Sequence, residues 1–271
     1  MCVRERTMQE SVALEPYAES SCWPTNGDGR MTVQTARPED LGAANASLQG
    51  ASPQAILRWA VERYHPRLTM ATAFGAEGCC IIHMLAEIEP GVRIFNLDTG
   101  YQFPETLALR ERIKERYGIE VEYVRPESSV AEFEAKNRGP LYVLQPEQCC
   151  HERKIIPLRK AIAGYDAWIS AIRGNQTIHR AAAGVVQWDK KFGLTKVNPL
   201  LSWTNQDVWT FITKHDIPYN PLHDQGYPSI GCWPCTRAVL DGEDERAGRW
   251  SGTSKKECGL HIMEQEGGSG I

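Results

Sequence analysis

The stretch LTMATAFGAEG, residues 68–78, decides the fold. Residues 68–73 are predicted to form a strand, and a Gly-containing turn leads from it into an apolar helix through Ile81, Ile82 and Leu85. In such a loop, backbone N–H groups and the helix N-terminus converge and can hold an anion. The loop lacks the Gly-Lys-Ser/Thr of a Walker A motif and does not have the spacing of a Rossmann fingerprint. At this point an anion site and a plain tight turn are both open interpretations.

The rest of the chain continues this alternation of strands and helices. Strands are predicted at 92–97, 120–124 and 167–172, and a helix begins at Pro104. A further amphipathic helix is predicted at 204–215. Strands that alternate with helices indicate βαβ units, so we expect an α/β fold with a parallel twisted sheet flanked by helices.

Three regions are predicted along the chain. Residues 1–50 are rich in Ser, Thr, Gly, Asn and Gln, and apolar periodicity is scarce, so we expect a weakly structured N-terminal leader. Residues 51–263 are predicted to form a single domain, which begins where Ser52 can cap a helix that starts at Pro53. Residues 264–271 are predicted to be a flexible tail.

Composition and charge exclude several classes of protein. The chain has 271 residues, of which 42% are hydrophobic and 24% are charged, as in ordinary globular proteins. No apolar run approaches the roughly 20 residues of a membrane helix, and no signal peptide is visible at the start. We therefore expect a cytoplasmic protein with no membrane partner. The net charge of −4 argues against a nucleic-acid partner.

A second candidate loop, residues 96–101, follows the next predicted strand. The carboxyl ends of parallel strands share one edge of a sheet, and ligands of open α/β sheets bind along that edge. The second loop is therefore expected to lie beside the first. Capping and turn formation are the alternative roles for Asp98 and Thr99.

Nine cysteines are the unusual feature of the composition. In a reducing compartment, grouped cysteines indicate a metal, an iron–sulfur cluster or redox chemistry rather than disulfides. Cys149 and Cys150 are adjacent, and Cys232 and Cys235 form a CxxC pair, so four thiolates are available. Structural zinc also takes four cysteines, but adjacent cysteines converge poorly on one small ion. A [4Fe–4S] cubane offers each thiolate its own iron, so the spacing favours a cluster over zinc.

Three other cysteines differ from this group. Cys79 and Cys80 continue into an apolar helix and are predicted to be core residues. Cys258 lies in a polar segment beside Lys255 and Lys256, which favour the thiolate that a nucleophile needs. An exposed and inert cysteine is the alternative for Cys258.

Basic side chains stand close to these motifs in the sequence. A local cluster of them would bind an anion even in a chain of negative net charge. For any one of them, solvated surface charge is the alternative. The candidates are Arg153, Lys154, Arg173, Arg180, Arg246 and Arg249.

Taken together, the motifs resemble the assimilatory adenylyl-sulfate (APS) reductases, the iron–sulfur branch of the APS/PAPS reductase family. The similarity runs in order from Ser52 to His261 and is therefore highly specific. It rests on residues 72–77, 97–100, 149–154, 197–200, 218–232, 234–237, 242–250 and 257–261.

The resemblance implies an adenine-nucleotide α-hydrolase-like fold, with a modified PP-loop at 72–77 and a catalytic cysteine at Cys258. It also implies one [4Fe–4S] cluster, held by Cys149, Cys150, Cys232 and Cys235. The implied phosphosulfate-binding residues are Arg153, Lys154, Arg246 and Arg249, with Arg173 nearby. Further substrate contacts are implied at Thr72, Phe74, Gly75, Ala76, Glu77, Leu97, Asp98, Thr99, Gly100 and His261.

The resemblance implies a reaction as well. The Cys258 thiolate attacks the sulfur of APS, AMP leaves, and a cysteine S-sulfonate remains on the enzyme. A thiol of thioredoxin, or of a glutaredoxin-like donor, then releases sulfite. The reaction belongs to assimilatory sulfate reduction and cysteine biosynthesis, and a homo-oligomer is compatible with the resemblance.

The chain departs from the family pattern in one loop and at two single positions. The loop at 173–176 reads Arg-Gly-Asn-Gln, whereas the family usually has Arg-Arg-Asp-Gln. Phe74 replaces a small polar residue, and Trp233 occupies the interior of the CxxC pair.

Three other functions are open on the sequence. A reductase of 3′-phospho-APS (PAPS), or of both nucleotides, shares most of the motifs, although such enzymes commonly lack the cluster cysteines. A cluster-bearing PP-loop tRNA thiolase would need a basic RNA surface, which the net charge of −4 disfavours. A zinc-stabilised binding module would use the four cysteines without catalysis.

Overall fold

The structure is a computed structural model that describes residues 38–253, 255 and 257–260. Its strands are β1 Leu68–Thr72, β2 Arg93–Leu97, β3 Glu122–Val124, β4 Ala167–Ile169, β5 Val186–Asp189 and β6 Leu194–Val197. Its α-helices are α1 Pro38–Leu48, α2 Pro53–Tyr64, α3 Ala76–Ile88, α4 Pro104–Tyr117, α5 Val130–Lys136, α6 Leu141–Leu144, α7 Pro146–Cys150, α8 Ile156–Ala161, α9 Ile178–Ala181 and α10 Asn205–His215. A π-helical turn, His151–Ile155, joins α7 to α8, and short 3₁₀ turns lie at Gly174–Gln176, Pro221–Gln225 and Trp233–Cys235.

The strands form one sheet in the order β3-β2-β1-β4-β6-β5. Neighbouring strands are parallel except β5 and β6, which are antiparallel. The chain leaves β1 for β2 on one side and later returns to β4 on the other, so the winding direction reverses beside β1. Such a reversal opens a crevice at the carboxyl ends of the strands. Thr72 and Asn96 are register partners, so the loops after β1 and β2 are neighbours, as predicted.

The side chains of each strand alternate between two apolar layers, one on each face of the sheet. Ile94 and Ile169 pack into the larger layer together with residues of α2, α3 and α10. Phe95 and Trp168 point to the opposite face, where they pack with Leu158 of α8. Helices therefore cover both faces of the sheet.

The predicted N-caps of two helices and the predicted burial of two cysteines in a third helix are found in the structure. Ser52 Oγ accepts a hydrogen bond from Ala55 N at 3.2 Å at the start of α2, and Thr204 caps α10. Cys79 and Cys80 are buried in α3, so their predicted place in the core is confirmed. Burial raises the pKa of the Cys79 thiol to about 12, which keeps it protonated and unreactive.

Two parts of the fold differ from the expectations from sequence. Helix α1 lies inside the stretch 1–50 that was expected to be a weakly structured leader. Leu41 and Leu48 anchor this helix in the core, and two apolar residues seven positions apart are too sparse to signal it. The hairpin of β5 and β6 has no predicted counterpart, because polar residues such as Thr195 and Lys196 are buried in β6 and hide its strand pattern.

Among the described residues, no helix is long and apolar enough to span a membrane.

Candidate active site

A cleft opens at the carboxyl edge of the sheet, beside the ends of β1 and β4, with a volume of about 1170 Å³ that includes its open mouth. Trp168 and Ser170 line it from the β4 side, and Ser229 lines it from a loop after α10. It lies where the reversal in strand order predicts a ligand site. The predicted site residues that it brings together are Thr72, Gly75, Glu77, Leu97, Lys154, Arg246, Arg249 and Cys258.

The loop after β1 is held by its own hydrogen bonds and by close packing. Thr72 Oγ1 accepts the N–H of Phe74 at 3.0 Å, and a Cβ on Gly78 would lie 2.8 Å from the same oxygen. Phe74 has a φ of 55°, and its fully buried ring packs into the core instead of lining the cleft. A bulky residue in this conformation costs about 1–3 kcal/mol, which burial of the ring offsets. Gly75 lines the cleft and Ala76 begins α3.

The loop after β2 lies directly beside it. Asn96 Nδ2 donates to the carbonyl oxygen of Thr72 at 2.9 Å, which joins the two loops. Asp98 is buried and its Oδ1 accepts the N–H of Gly100 at 3.0 Å. Leu97 lines the cleft, whereas the other predicted contacts in this loop stabilise its turn.

The predicted cluster cysteines come together in a second, smaller cavity, whose wall includes Cys149, Cys150, Cys232 and Cys235. All of them are free thiols. Burial, reinforced by neighbouring thiols, raises the pKa of Cys149 to about 12 and that of Cys235 to about 11. They therefore stay protonated at neutral pH unless a cationic group joins them. Thr99, a predicted substrate contact, faces this cavity, with its Oγ1 3.2 Å from Cys232 Sγ.

A zinc ion and an iron–sulfur cluster place different demands on four thiols. Within the described part of the chain, no three His, Cys, Asp or Glu side chains are placed to hold a single metal ion. A [4Fe–4S] cluster needs no common point, because each thiolate binds a different iron. The four free thiols of this cavity are therefore candidate ligands for such a group.

Lys154 lines both cavities. Burial favours its neutral form, but attraction to Cys232, Cys258 and Cys150 in their thiolate forms outweighs burial and raises its pKa. Its ammonium group therefore places positive charge in the wall between the cysteines and the cleft when these thiols are ionised.

Arg153, the neighbouring residue, lies outside the cleft and lines only the cysteine cavity. Its guanidinium donates to the carbonyl oxygens of Thr99 at 2.6 Å and Ser128 at 3.1 Å. It also lies over the rings of Tyr101 and Phe133, and its side chain is buried. These contacts tie the π-helical turn to the loop after β2.

Two arginines form the basic end of the cleft. Ser229 Oγ accepts hydrogen bonds from Arg246 and Arg249, each at 3.3 Å. The buried Nε atoms of both arginines have no hydrogen-bond partner among the residues that the structure describes. Burial and the charge of Arg180 lower the pKa of Arg246 to about 10, so it is still charged at neutral pH. An anion with several oxygens would satisfy both guanidinium groups.

Arg173 holds the loop after β4 in place and does not line the cleft. Its Nε donates to Glu77 Oε1 at 2.7 Å, and its Nη2 donates to Glu245 Oε2 at 2.8 Å. A Cβ on Gly174 would lie 3.0 Å from the carbonyl oxygen of Leu201. The two backbones approach closely here, so a residue larger than glycine would require Leu201 to shift.

The predicted nucleophile, Cys258, is 9% exposed and lines the cleft. Its backbone N–H donates to Glu257 Oε1 at 2.8 Å. Lys191 Nζ donates to the carbonyl oxygen of Gly259 at 2.7 Å, and Leu260 packs against the smaller apolar layer. Residues 257–260, which we call the catalytic segment, are therefore closed against the cleft.

The cations near Cys258 are not the ones that its sequence neighbours indicate. The Nζ of Lys255 pairs with Glu147, at the start of α7. Lys154 instead lines the same cleft as Cys258. Positive charge on the cleft wall therefore comes from a residue that is distant from Cys258 in the sequence.

Lys196 contacts a residue of the cleft wall, and the sequence patterns do not reveal it because β6 is not predicted. Burial lowers its pKa to about 8, and its Nζ lies 4.8 Å from the centre of the Trp168 ring that lines the cleft. The available signal is weak, because residues 194–197 read Leu-Thr-Lys-Val and have only two apolar side chains. Two predicted residues, Lys256 and His261, lie outside the described residues.

The family model of the phosphoadenosine phosphosulfate reductase domain matches residues 67–238. The chain belongs to this family. Its membership confirms the family that the motifs indicate. The chain is 46% identical over 207 residues to adenosine 5′-phosphosulfate reductase 2 of Bacillus subtilis. The aligned residues cover 76% of this chain and 88% of that protein. It is 47% identical over 213 residues to a phosphoadenosine 5′-phosphosulfate reductase of Gloeobacter violaceus, covering 78% of this chain and 88% of that one.

Solved structures share the fold of this family member. The phosphoadenylyl-sulfate reductase of Candida auris in a phosphate complex has a TM-score of 0.67 and 31% identity, covering 77% of this chain and 100% of that one. A Candida glabrata FMN adenylyltransferase variant has a TM-score of 0.51 and 14% identity, covering 85% of this chain and 79% of that one. The predicted α/β class, with a mostly parallel sheet between helices, is confirmed.

Proposed function

We propose that this enzyme reduces adenylyl sulfate to sulfite and AMP, with Cys258 as the nucleophile. The observation that carries the proposal is the cleft, which brings Cys258 together with Lys154, Arg246 and Arg249 at the nucleotide-binding edge of the sheet. The buried Nε–H groups of both arginines have no partner within the described residues, and a phosphosulfate offers the oxygens they need. Relatives named adenosine 5′-phosphosulfate reductase support the choice of substrate.

The proposed reaction is a sulfonate transfer followed by reduction. The Cys258 sulfur forms a bond to the sulfur of APS, while the bond from that sulfur to the bridging phosphate oxygen breaks. The electron pair of the broken bond leaves with AMP. A thiol of a dithiol donor then attacks the Cys258 sulfur, sulfite leaves with the electron pair of the broken sulfur–sulfur bond, and a mixed disulfide forms between the donor and Cys258. The second thiol of the donor attacks the donor sulfur of this disulfide, which releases the Cys258 thiolate and leaves the donor oxidised by two electrons.

The basic residues of the cleft have a defined part in this reaction. Negative charge builds on the AMP phosphate as the sulfur–oxygen bond breaks, and fixed cations at that position lower the barrier. Arg246 and Arg249 are placed for this role because Ser229 holds both of them. Lys154 adds charge near the cysteine sulfur.

The catalytic segment has to serve two partners. When it is closed, Cys258 lies in the cleft with the nucleotide, and when it is open, the S-sulfonate is available to a donor such as thioredoxin. The contacts of the segment are largely polar and therefore exchangeable with water. The seven free cysteines among the described residues suit a reducing cytoplasm, where such donors work.

We also propose that the smaller cavity holds one [4Fe–4S] cluster, on Cys149, Cys150, Cys232 and Cys235. The thiols are free, and burial raises the pKa of Cys149 and of Cys235, which suits a cationic occupant. When bound, such a cluster would supply local charge that tunes the neighbouring cleft. Lys154 is placed to transmit that charge because it lines both cavities.

A comparison of two nucleotides tests the substrate. With thioredoxin and cluster-replete protein, we expect kcat/KM to be higher for APS than for PAPS. The Gloeobacter violaceus relative, named for the phosphorylated nucleotide, makes PAPS the second candidate. A higher kcat/KM for PAPS would transfer the assignment to it. Incubation with APS alone should leave a sulfonate on Cys258 that peptide mass spectrometry detects.

The cofactor has its own measurement. Anaerobically purified protein should absorb at about 400 nm, as iron–sulfur clusters do, and should contain iron. A colourless protein with stoichiometric zinc would overturn the cluster proposal.

A further inference from the structure

Glu257 precedes the proposed nucleophile, and its carboxylate makes more contacts than a surface ion pair would. Its side chain is 3% exposed. Oε1 accepts hydrogen bonds from the backbone N–H of Cys258 at 2.8 Å, from Arg180 at 2.9 Å and from Arg246 at 3.1 Å. Oε2 accepts from Arg180 Nε at 2.9 Å and from Thr177 Oγ1 at 3.0 Å. Arg180 therefore grips both oxygens and sets the position and the orientation of the carboxylate.

The charge of this group persists in its buried setting. Burial alone would raise the pKa of Glu257, but hydrogen bonds and charge from Arg180, together with the charge of Arg246, lower it to about 2. An ionised carboxylate is a stronger acceptor than a neutral one, so its bond to the Cys258 N–H is reinforced. The backbone of the nucleophile is thus attached to a fixed anion.

Arg180 in turn belongs to a chain of contacts that reaches the nucleotide-binding loop. Its Nη1 donates to Gln176 Oε1, and Gln176 Nε2 donates to Glu77 Oε1 at 2.9 Å. Glu77 lies in the first turn of α3 and lines the cleft. Hydrogen bonds therefore connect the loop after β1 to the backbone of Cys258.

We propose that Glu257 is a positioning residue, which holds the sulfur of Cys258 in the cleft by accepting the cysteine N–H with a carboxylate clamped by Arg180. The proposal rests on the proposed role of Cys258 as nucleophile. A purely structural ion pair would stabilise the fold and leave the location of the sulfur unchanged. A positioning residue determines instead how often the catalytic segment is closed.

The variant Glu257→Gln keeps the size and an acceptor oxygen but removes the charge that Arg180 and Arg246 hold. We expect iodoacetamide to alkylate Cys258 of the substrate-free, cluster-replete protein at least about tenfold faster, since loss of a charge-assisted contact costs about 1.5–3 kcal/mol. Peptide mass spectrometry measures this rate at Cys258 alone. In single turnovers with saturating APS, formation of the S-sulfonate should slow by at least about tenfold. The Kd of AMP should change by less than about threefold, because the cleft keeps its arginines.

The matched control is Glu243→Gln, which breaks another two-pronged ion pair with an arginine. Glu243 binds Arg237 at 2.7 and 2.9 Å and does not line the cleft. We expect wild-type rates of alkylation and sulfonation for this variant. Equal effects of the two substitutions would show a general loss of stability and would overturn the proposal.

A milder variant guards against misfolding. Arg180→Lys keeps the positive charge but cannot grip both oxygens of Glu257, so it should also speed alkylation of Cys258. Wild-type alkylation and sulfonation in both Glu257→Gln and Arg180→Lys would overturn the positioning role. Absence of the sulfonate on wild-type Cys258 would instead overturn the proposed function, and the alkylation rates would still report on where the segment lies.

Discussion

The loop after β1 and the catalytic segment both border the cleft, but different forces hold them. The loop is anchored by the buried ring of Phe74, by the tight approach of Gly78 to Thr72, and by the apolar helix that follows. The segment is held mainly by polar contacts at Glu257 and Gly259. Apolar packing cannot be exchanged with solvent at low cost, whereas hydrogen bonds and ion pairs can. In the proposed mechanism, the loop with its apolar packing is the permanent region of the site, and the segment that carries the proposed nucleophile is the releasable region.

The largest difference between the two regions should appear when the proposed nucleophile of the segment is replaced and the loop is left intact. Cys258→Ser should lower sulfite production at least about 10³-fold, because a hydroxyl is a far weaker nucleophile at this pH. The Kd of AMP and the iron content should stay at wild-type values, since the loop after β1 and the cysteine cavity are untouched. Turnover above that level in a coupled thioredoxin assay would show that the nucleophile is another residue.

A cavity in the permanent region should lower the free energy of unfolding without changing the KM of the molecules that remain folded. Leu85→Ala in α3 removes a fully buried side chain and should lower the free energy of unfolding by about 2–5 kcal/mol in urea titrations. The KM of the folded fraction should not change. Leu144→Ala is the control, because Leu144 is 60% exposed and the change should stay within about 0.5 kcal/mol. Equal effects of the two substitutions would contradict the assignment of α3 to the core.

Acid should weaken the segment through Glu257. Its pKa is lowered from 4.5 to about 2, so its contribution to stability is present above pH 4.5 and is lost as the pH falls toward 2. We expect the difference in unfolding free energy between wild type and Glu257→Gln to shrink over this range by an amount on the order of 2 kcal/mol. Urea titrations at several pH values measure it. A difference that is independent of pH would mean that the Glu257 carboxylate is not ionised in the folded protein.

The smallest expected effect is on KM, and it comes from displacing Arg249 in the cleft. A Cβ on Gly231 would lie 2.3 Å from Arg249 Nη2, so Gly231→Ala should push the guanidinium aside. We expect KM to rise about tenfold with a smaller change in kcat, as for loss of one charged substrate contact. Gly42→Ala, where a Cβ meets nothing within 4 Å, is the matched control. An unchanged KM for Gly231→Ala would remove Arg249 from the substrate site.

The sequence predicts the permanent region well and the releasable one only in part. The strand–loop–helix pattern at 68–85 and the pairing of two loops at one sheet edge follow from periodicity and topology, which are local or general properties. The cysteine groups are recognisable by spacing alone. Contacts such as those of Glu257 with Thr177 and Arg180 join residues about eighty positions apart, and no local pattern contains them.

Two lysines show how tertiary structure changes the meaning of a pattern. Lys255 lies three residues before the proposed nucleophile in the sequence but pairs with Glu147. Lys196 lies on an unpredicted strand, and its Nζ lies over the ring of Trp168, which lines the cleft. Neighbourhood along the chain is therefore a poor guide to the charge around a loop cysteine, because side chains leave a loop in all directions.

The π-helical turn at 151–155 sets the direction of the residues around it. A π turn contains one residue more than an α turn, so it shifts the phase of everything that follows by about 100°. Deleting a single residue there would restore the α-helical phase. Lys154 and α8 would then be rotated relative to Cys149 and Cys150, away from their present neighbours. The place of Lys154 in the wall shared by the two cavities thus depends on the extra residue of this turn, and deletion of that residue should remove the lysine from the wall.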